Sequence, residues 1–319
     1  MAKSSKFTEY LDYICVVEQE AIEEQGEDCF CALACEDRAV VAVCDGCGGL
    51  GSRSYRSTTG HTEAFLASRM VAGTIYDWFC DTKDTTWKGG EDLCKSLHEY
   101  IARVYQVGSS YIQRGSRIRG SMVRDFPTTL AMAVAQQDGK DTILHVIWAG
   151  DSRVYLLNEN GLAQLTVDDV EGNDAMTNLT DDGALTNVLS SDGKFDLHYQ
   201  KLIVDSPTMV FAATDGCFGY IPSPMEFEYT LLNALVQAQT PEMFKQLVKK
   251  YFTEVAGDDF AFASMSFRFG SFDSMAGALL ARAQYLEQEY IVPLLNGRSD
   301  DLVMSLWQKY RPSYERYIN

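Results

Sequence analysis

Residues 40–49 read Val40-Val41-Ala42-Val43-Cys44-Asp45-Gly46-Cys47-Gly48-Gly49. An apolar, β-rich run of strand length stops at an Asp-Gly step, the ordinary chemistry for leaving a strand. Ala39–Cys44 holds this run, and similar runs recur outward from it at Cys29–Ala34, Thr129–Ala135, Thr142–Ala149, Arg153–Leu157, Thr208–Ala213 and Phe260–Phe267. Gln137-Asp138-Gly139 and Asn160-Gly161 read as hairpin turns between them. Helical spacing appears in Gly60–Phe79, Glu91–Ile112 and Thr240–Val255, the last opening on an N-cap Thr240 with Pro241 behind it. Helices thus come in blocks, one after the second strand and one before the last. That order predicts an α+β fold with mostly antiparallel sheet, not an alternating parallel α/β fold. From about residue 271 the character changes, and Ser274–Ile291 and Asp300–Tyr310 read as further helices. The chain divides on this reading into a catalytic-sized domain at 1–270 and a helical C-terminal extension at 271–319.

The 319 residues carry 27 Lys+Arg against 45 Asp+Glu, a formal net charge of −18, with 46% hydrophobic residues. The apolar content supports a substantial core and excludes global disorder. The charge, with no basic run, argues against nucleic acid and against an anionic membrane surface as partners. No stretch approaches roughly 18 uncharged apolar residues, so no membrane span is expected. The polar N-terminus lacks a signal-peptide core. Nine cysteines, an odd count without dense spacing, predict free thiols in a reducing compartment, with the cytoplasm as the expected location.

Four segments place acidic residues at strand mouths: Gly26-Glu27-Asp28, Asp45-Gly46, Asp215-Gly216 and Gly257-Asp258-Asp259. Taken singly each is an ordinary turn. Together they are harder to dismiss, because carboxylates gathered at one end of a sheet repel one another unless a cation sits between them. Oxygen donors suit Mg or Mn rather than Zn, and His61, His98, His145 and His198 are too scattered for a His-based site.

Residues 40–49 resemble the Asp-Gly-x-Gly-Gly strand motif of the metal-dependent type 2C serine/threonine protein phosphatases. The resemblance continues in order. Gly26-Glu27-Asp28 is similar to the family's first acidic motif, and Phe126-Pro127-Thr128-Thr129-Leu130 to its Gly-Thr-Thr strand start. Gly150-Asp151-Ser152-Arg153 matches Gly-Asp-Ser-Arg, the most specific single likeness. Leu165-Thr166-Val167-Asp168, Thr214-Asp215-Gly216 and Asp258-Asp259 complete the series, and the ordered set is what carries weight.

This resemblance, to a divergent bacterial-type member, implies two packed antiparallel β-sheets flanked by helix pairs, an α-β-β-α sandwich. It implies metal-dependent hydrolysis of phosphoserine and phosphothreonine in proteins by a hydroxide bridging two Mn2+ or Mg2+ ions, with a third ion weakly bound. Asp45 would bridge the two metals and the Gly46 carbonyl would bind one of them. Asp215 and Asp258 would complete the first site, and Glu27 and Asp28 would hold the second. On the same resemblance Asp45, Asp215 and Asp258 are the catalytic carboxylates, Asp151 and Arg153 are structural, and Asp125 stands near the third metal. The partner implied is a phosphorylated protein substrate, with a partner kinase as a further candidate.

The sequence departs from the family pattern at three places. Cys47 stands where many members carry a His that serves as general acid. Ala21-Ile22-Glu23-Glu24-Gln25 lacks the Arg that clamps the substrate phosphate, leaving Arg53 and Arg56 as replacements. Thr186-Asn187 stands where an Arg is common. The alternative function is therefore a catalytically impaired relative that binds and regulates a phosphoprotein or kinase. Cys44 and Cys47 form a Cys-x-x-Cys, but Cys44 alternates with apolar strand residues and reads as core. Trp307, Tyr310, Tyr314 and Tyr317 form a stripe interrupted by Pro312, expected to pack on the main domain rather than dock a partner.

Overall fold

Burial alternates in direction along Arg38–Cys44: Val40, Ala42 and Cys44 face one layer, Ala39, Val41 and Val43 the other, and all six are fully buried. Both faces of this strand are therefore covered, which requires a layer on each side. The computed structural model describes residues 11–54, 60–83, 87, 89–111, 125–138, 141–171 and 183–318.

The strands are β1 (Leu11–Gln19), β2 (Cys29–Ala34), β3 (Arg38–Cys44), β4 (Leu130–Asp138), β5 (Asp141–Ala149), β6 (Arg153–Asn158), β7 (Gly161–Gln164), β8 (His198–Val204), β9 (Thr208–Ala213) and β10 (Phe260–Phe267). The helices are α1 (Glu63–Asp81), α2 (Gly90–Tyr111), α3 (Asp215–Phe218), α4 (Pro224–Gln237), α5 (Pro241–Val255), α6 (Phe272–Leu286), α7 (Val292–Asn296) and α8 (Asp300–Tyr314), with a π-helical turn at Glu287–Ile291 joining α6 to α7. One antiparallel sheet runs β2-β3-β4-β5-β8 and the other β1-β10-β9-β6-β7. The α+β architecture of two packed antiparallel sheets with flanking helices is the one expected.

The sheets meet through small side chains. Ala39, Ala131, Ala133 and Ala135 of one face Ala212, Ala261 and Ala263 of the other, so the layers approach closely. α1 and α2 cover the outer face of the first sheet through Ala67, Val71, Ile75, Trp78, Leu93, Leu97 and Ile101. On the second sheet, Phe211, Phe260 and Phe262 pack beneath Leu231, Leu235 and Phe252 of α4 and α5. α6 and α8 join the same buried cluster through Leu279, Trp307, Tyr310 and Tyr314. Trp307, Tyr310 and Tyr314 of the aromatic stripe are thus buried, each 1% exposed, while Tyr317 is half-buried against the cluster between the sheets. Pro312 lies within α8 instead of interrupting it, and the last turn is held by the Glu315 N–H donating to the Arg311 carbonyl.

Three strands, β1, β7 and β8, were not expected, and all three are sheet edges. Edge strands have a partner on one side only, so β8 mixes polar and half-buried residues, and β1 flanks its apolar Tyr13–Val17 run with Asp12 and Glu18. α4 was missed as well, although Ser223 and Pro224 form a cap-and-Pro start like that of α5. The hairpin at Asp138 is seen in the Asp138–Asp141 pairing, while Gly139 lies outside the described residues. Register decides where the site forms. Cys29 pairs with Cys44, and Arg153 and Phe262 both pair with Ala213. Asp28 and Asp45 thereby share one end of the first sheet, and Asp151, Asp215 and Asp258 the adjoining end of the second.

Candidate metal centre

The turn after β3 is held by side chains from the start of β4. The Asp45 N–H donates to Thr129 Oγ1 at 3.1 Å, and its carbonyl accepts from the Thr129 N–H at 2.8 Å and Thr128 Oγ1 at 2.7 Å. Gly46 follows with no room for a side chain, since a Cβ there would lie 2.6 Å from the Ala64 carbonyl oxygen and 2.8 Å from that of Glu27. Phe126 adopts a left-handed φ of 55°, unusual for a bulky residue, and its N–H donates to the buried Glu63 Oε2 at 3.3 Å. The structure thus spends backbone strain to aim this segment at the Asp45 turn.

A cleft of about 500 Å³ opens there, lined by Glu27, Asp28, Asp45, Gly46, Cys47, Asp151, Asp215, Asp258 and Asp259 among others. All the residues expected at the two metals line this one cleft. Asp215 is the first residue of the short α3, whose Gly216 has no space for a Cβ against the Asp259 carbonyl oxygen. Glu27 accepts from Thr62 Oγ1, which also caps α1 by accepting from the Phe65 N–H at 3.0 Å. Asp259 clamps the loop before β2, its two oxygens accepting from the N–H groups of Ala21 at 2.7 Å and Glu27 at 2.6 Å. Asp258 is exposed at the rim, where its Oδ1 accepts from the Asp259 N–H at 2.8 Å.

The electrostatics are those of crowded like charges. Burial first, and then Asp28, Asp215 and Asp151, push the Asp45 carboxyl well above the usual range. Asp215 is among the carboxyls that push Asp45 up, and neighbours of this kind are tolerated only with a shared proton or an intervening cation. Burial and then Asp215 and Asp259 push Asp28 up, and burial with Asp215 and Asp168 raises Asp151 to about 7. Asp28 Oδ2 and Asp151 Oδ1 are buried without a hydrogen-bond partner. Among the described residues no three acidic, His or Cys side chains already stand in a closed ligand cage. The donor set nevertheless fits hard divalent cations: it is all oxygen, mutually repulsive, and holds two orphaned buried acceptors.

The described lining includes no Lys or Arg. Arg53 sits instead against Asp125, with 3.3 Å between Nη1 and Oδ1, and its side chain is about one third exposed at 35%. Arg56 lies outside the described residues. Arg153 is 1% exposed and locked in a bidentate pair with Asp168, Nε lying 3.0 and 3.1 Å and Nη2 2.6 Å from its carboxylate oxygens. Asn187, at the place where an Arg was looked for, donates to Asp169 at 2.7 Å, and Asp169 in turn accepts from the Gly150 N–H at 2.9 Å. Cys47 lines the cleft as a neutral thiol, because burial and then Asp45 and Asp151 hold its proton on. Cys44 is core, as read.

Three further residues shape the cleft. Asp151, which the resemblance makes structural, lines it, and its Oδ1 has no hydrogen-bond partner. Thr62 carried a signal as a helix N-cap, and Asp259 as the second half of an Asp pair. Their contacts with Glu27 join segments distant along the chain, so no local pattern shows them.

A protein-family model described as Protein phosphatase 2C matches residues 23–264, well over half of the chain. No curated protein matches the sequence. Solved structures that are similar include the serine/threonine phosphatase PstP/Ppp of Mycobacterium tuberculosis, at 18% identity and a TM-score of 0.54, covering 80% of this chain and 98% of that one. Stp1 from Staphylococcus aureus is similar at 15% identity and a TM-score of 0.57, covering 80% and 94%. A C. elegans sex determining protein is similar at 16% identity and a TM-score of 0.62, covering 84% and 67%. At these identities the structures show a shared fold.

Proposed function

Given that this chain belongs to the protein phosphatase 2C family, we propose that it hydrolyses phosphoserine and phosphothreonine in proteins at a two-cation carboxylate site. The observation that carries this reading is the convergence of Glu27, Asp28, Asp45, Asp151, Asp215 and Asp258 on one cleft. A related PstP structure holds two manganese ions, at 16% identity and a TM-score of 0.51, covering 81% of this chain and 99% of that one. Bound there, two Mn2+ or Mg2+ ions supply Lewis acidity that activates water and neutralises phosphoryl charge. Asp45 would be shared between the two ions, the Gly46 carbonyl, Asp215 and Asp258 would help hold one, and Glu27 and Asp28 would help hold the other. Thr128 and Thr129 fix the Asp45 backbone, and Thr62 fixes Glu27, so these ligands are oriented before substrate arrives. Cys47 keeps its proton at neutral pH and adds no negative charge beside an incoming phosphate.

No Lys or Arg among the described residues lines the cleft, so attraction for the phosphorylated substrate falls to the cations themselves. Substrate KM should therefore depend on Mn concentration across the range that restores turnover. The same observation favours a second reading, a catalytically impaired phosphatase-like protein that binds a phosphoprotein or a kinase. One assay separates the two: p-nitrophenyl phosphate or a phosphothreonine peptide, with Mn against EDTA. Mn-dependent turnover is expected. A protein that binds two metals and stays inert would establish the second reading, and turnover unaffected by EDTA would sink the first. No described helix is long and apolar enough to cross a membrane.

A further inference from the structure

Helix α8 lies beyond residue 264, where the family match ends. A chain of buried polar contacts nevertheless runs from it to the cleft. The Tyr314 hydroxyl donates to Gln164 Oε1 at 2.9 Å and stands 3.4 Å from the Tyr155 hydroxyl. Gln164 Nε2 donates to Asp168 Oδ1 at 3.2 Å, and Asp168 holds Arg153. Arg153 also donates to the Tyr155 hydroxyl at 3.3 Å. From Arg153 two routes reach the proposed ligands. The preceding residue, Ser152, shares a hydrogen bond of 2.7 Å with Thr129, whose Oγ1 accepts from the Asp45 N–H. The guanidinium also lies 4.2 Å over the ring of Phe218, in the helical turn that Asp215 begins. Tyr314, Gln164, Arg153, Ser152 and Thr129 are each no more than 2% exposed.

We propose that Tyr314 is a positioning residue for the metal centre, so that the C-terminal helix sets the geometry of Asp45 and Asp215. The proposal rests on the metal-centre reading above. The physical basis is obligatory pairing. Without the Tyr314 hydroxyl, Gln164 Oε1 loses its donor in a buried place, and the amide must turn or stay unsatisfied. Either response loosens Asp168 and then Arg153, from which both routes start.

Tyr310 is the natural control. It lies one turn earlier on the same helix, is equally buried at 1%, and donates to Glu228 Oε2 at 2.6 Å. That contact ends at the Arg282 pair within the helical layer and does not lead to the cleft. The test compares Tyr314→Phe and Tyr310→Phe in the full chain by two readouts. The first is Mn2+ affinity, from calorimetry or loss of the free-ion electron spin resonance signal. The second is amide hydrogen exchange around Asp45 and Ser152 in metal-free protein. Tyr314→Phe should raise the Mn2+ Kd by roughly two- to thirtyfold and speed exchange at both places. Tyr310→Phe should leave both unchanged at a similar loss of stability. Equal effects of the two variants, or none from Tyr314→Phe, would overturn the proposal. Should Tyr314→Phe not fold, Gln164→Met probes the next link with the same expectations. A wild-type protein that takes up no Mn2+ would defeat the metal-centre reading, and the exchange arm would still decide whether Tyr314 positions Asp45.

Discussion

The two halves of the molecule bury carboxylates in opposite ways. In the helical layer Glu228, 0% exposed, is matched by Arg282 through two contacts of 2.8 Å and by the Tyr310 hydroxyl at 2.6 Å. In the cleft, Asp28, Asp45, Asp151 and Asp215 crowd together without a Lys or Arg among the described lining, each raising its neighbours' pKa values. The first arrangement is electrically closed and has no further use for a cation. The second is open, and its cost is relieved only by protons or by metal ions. Burial alone thus says little about function; how each charge is compensated tells a structural carboxylate from a ligand.

Breaking the closed side should give the largest effect on stability. Glu228→Gln leaves Arg282 half-paired in the helical layer and should cost about 3–5 kcal/mol in urea unfolding, with Mn2+ affinity unchanged. On the open side the sign reverses. Asp45→Asn should lower Mn-dependent turnover about a thousandfold, by removing several kcal/mol of metal-centred stabilisation. Without metal, the same variant should melt at a higher temperature than wild type, because one repelling carboxylate is gone.

A pH series sharpens the contrast. A carboxyl whose pKa is raised in the folded state binds its proton more tightly there than in the unfolded chain. Its contribution to stability is complete below the ordinary value of 3.8 and is lost as pH rises through the folded value, about 7 for Asp151. Metal-free protein should therefore lose melting temperature between about pH 4 and 7, and saturating Mn2+ should flatten or reverse that slope by displacing the protons. A metal-free melting temperature that climbs steadily over this window would contradict the crowded-carboxylate picture. The smallest effect belongs to the frame around the cleft. Thr62→Ala removes the α1 cap and the Glu27 contact, and should cost about 1 kcal/mol, with Thr62→Ser restoring most of it.

Much of this was legible in the chain. The buried strands carry uninterrupted apolar runs, and the Asp-Gly exits beside them are local features, so β3, β4, β9 and β10 and the residues Asp45, Asp215 and Asp258 could be read directly. The edge strands β1 and β8 could not, since they pair on one side only and are partly exposed, and β7 could not because it is only four residues long. Asp151 shows the limit of a local reading. Its motif is local, but whether its carboxylate is satisfied depends on Asp215, which arrives from another strand. Arg53 shows the converse: its position past the Gly-Gly turn suggested phosphate, whereas Asp125, distant in sequence, engages it.

The sequence by itself determined the antiparallel α+β class and the set of carboxylates at strand mouths, because these follow from short-range patterns of burial and turn chemistry, while the layer order came only with the family resemblance. Only the tertiary structure decided which charges meet. Register between strands brings Asp28, Asp45, Asp151 and Asp215 to one cleft, while helix packing gives Arg282 to Glu228 and ties Tyr314 of α8 to Gln164 in the polar chain that holds the Arg153–Asp168 pair. Charge interactions in a low-dielectric interior depend on distances of a few ångströms. Those distances are fixed between segments far apart along the chain, where no local pattern reaches.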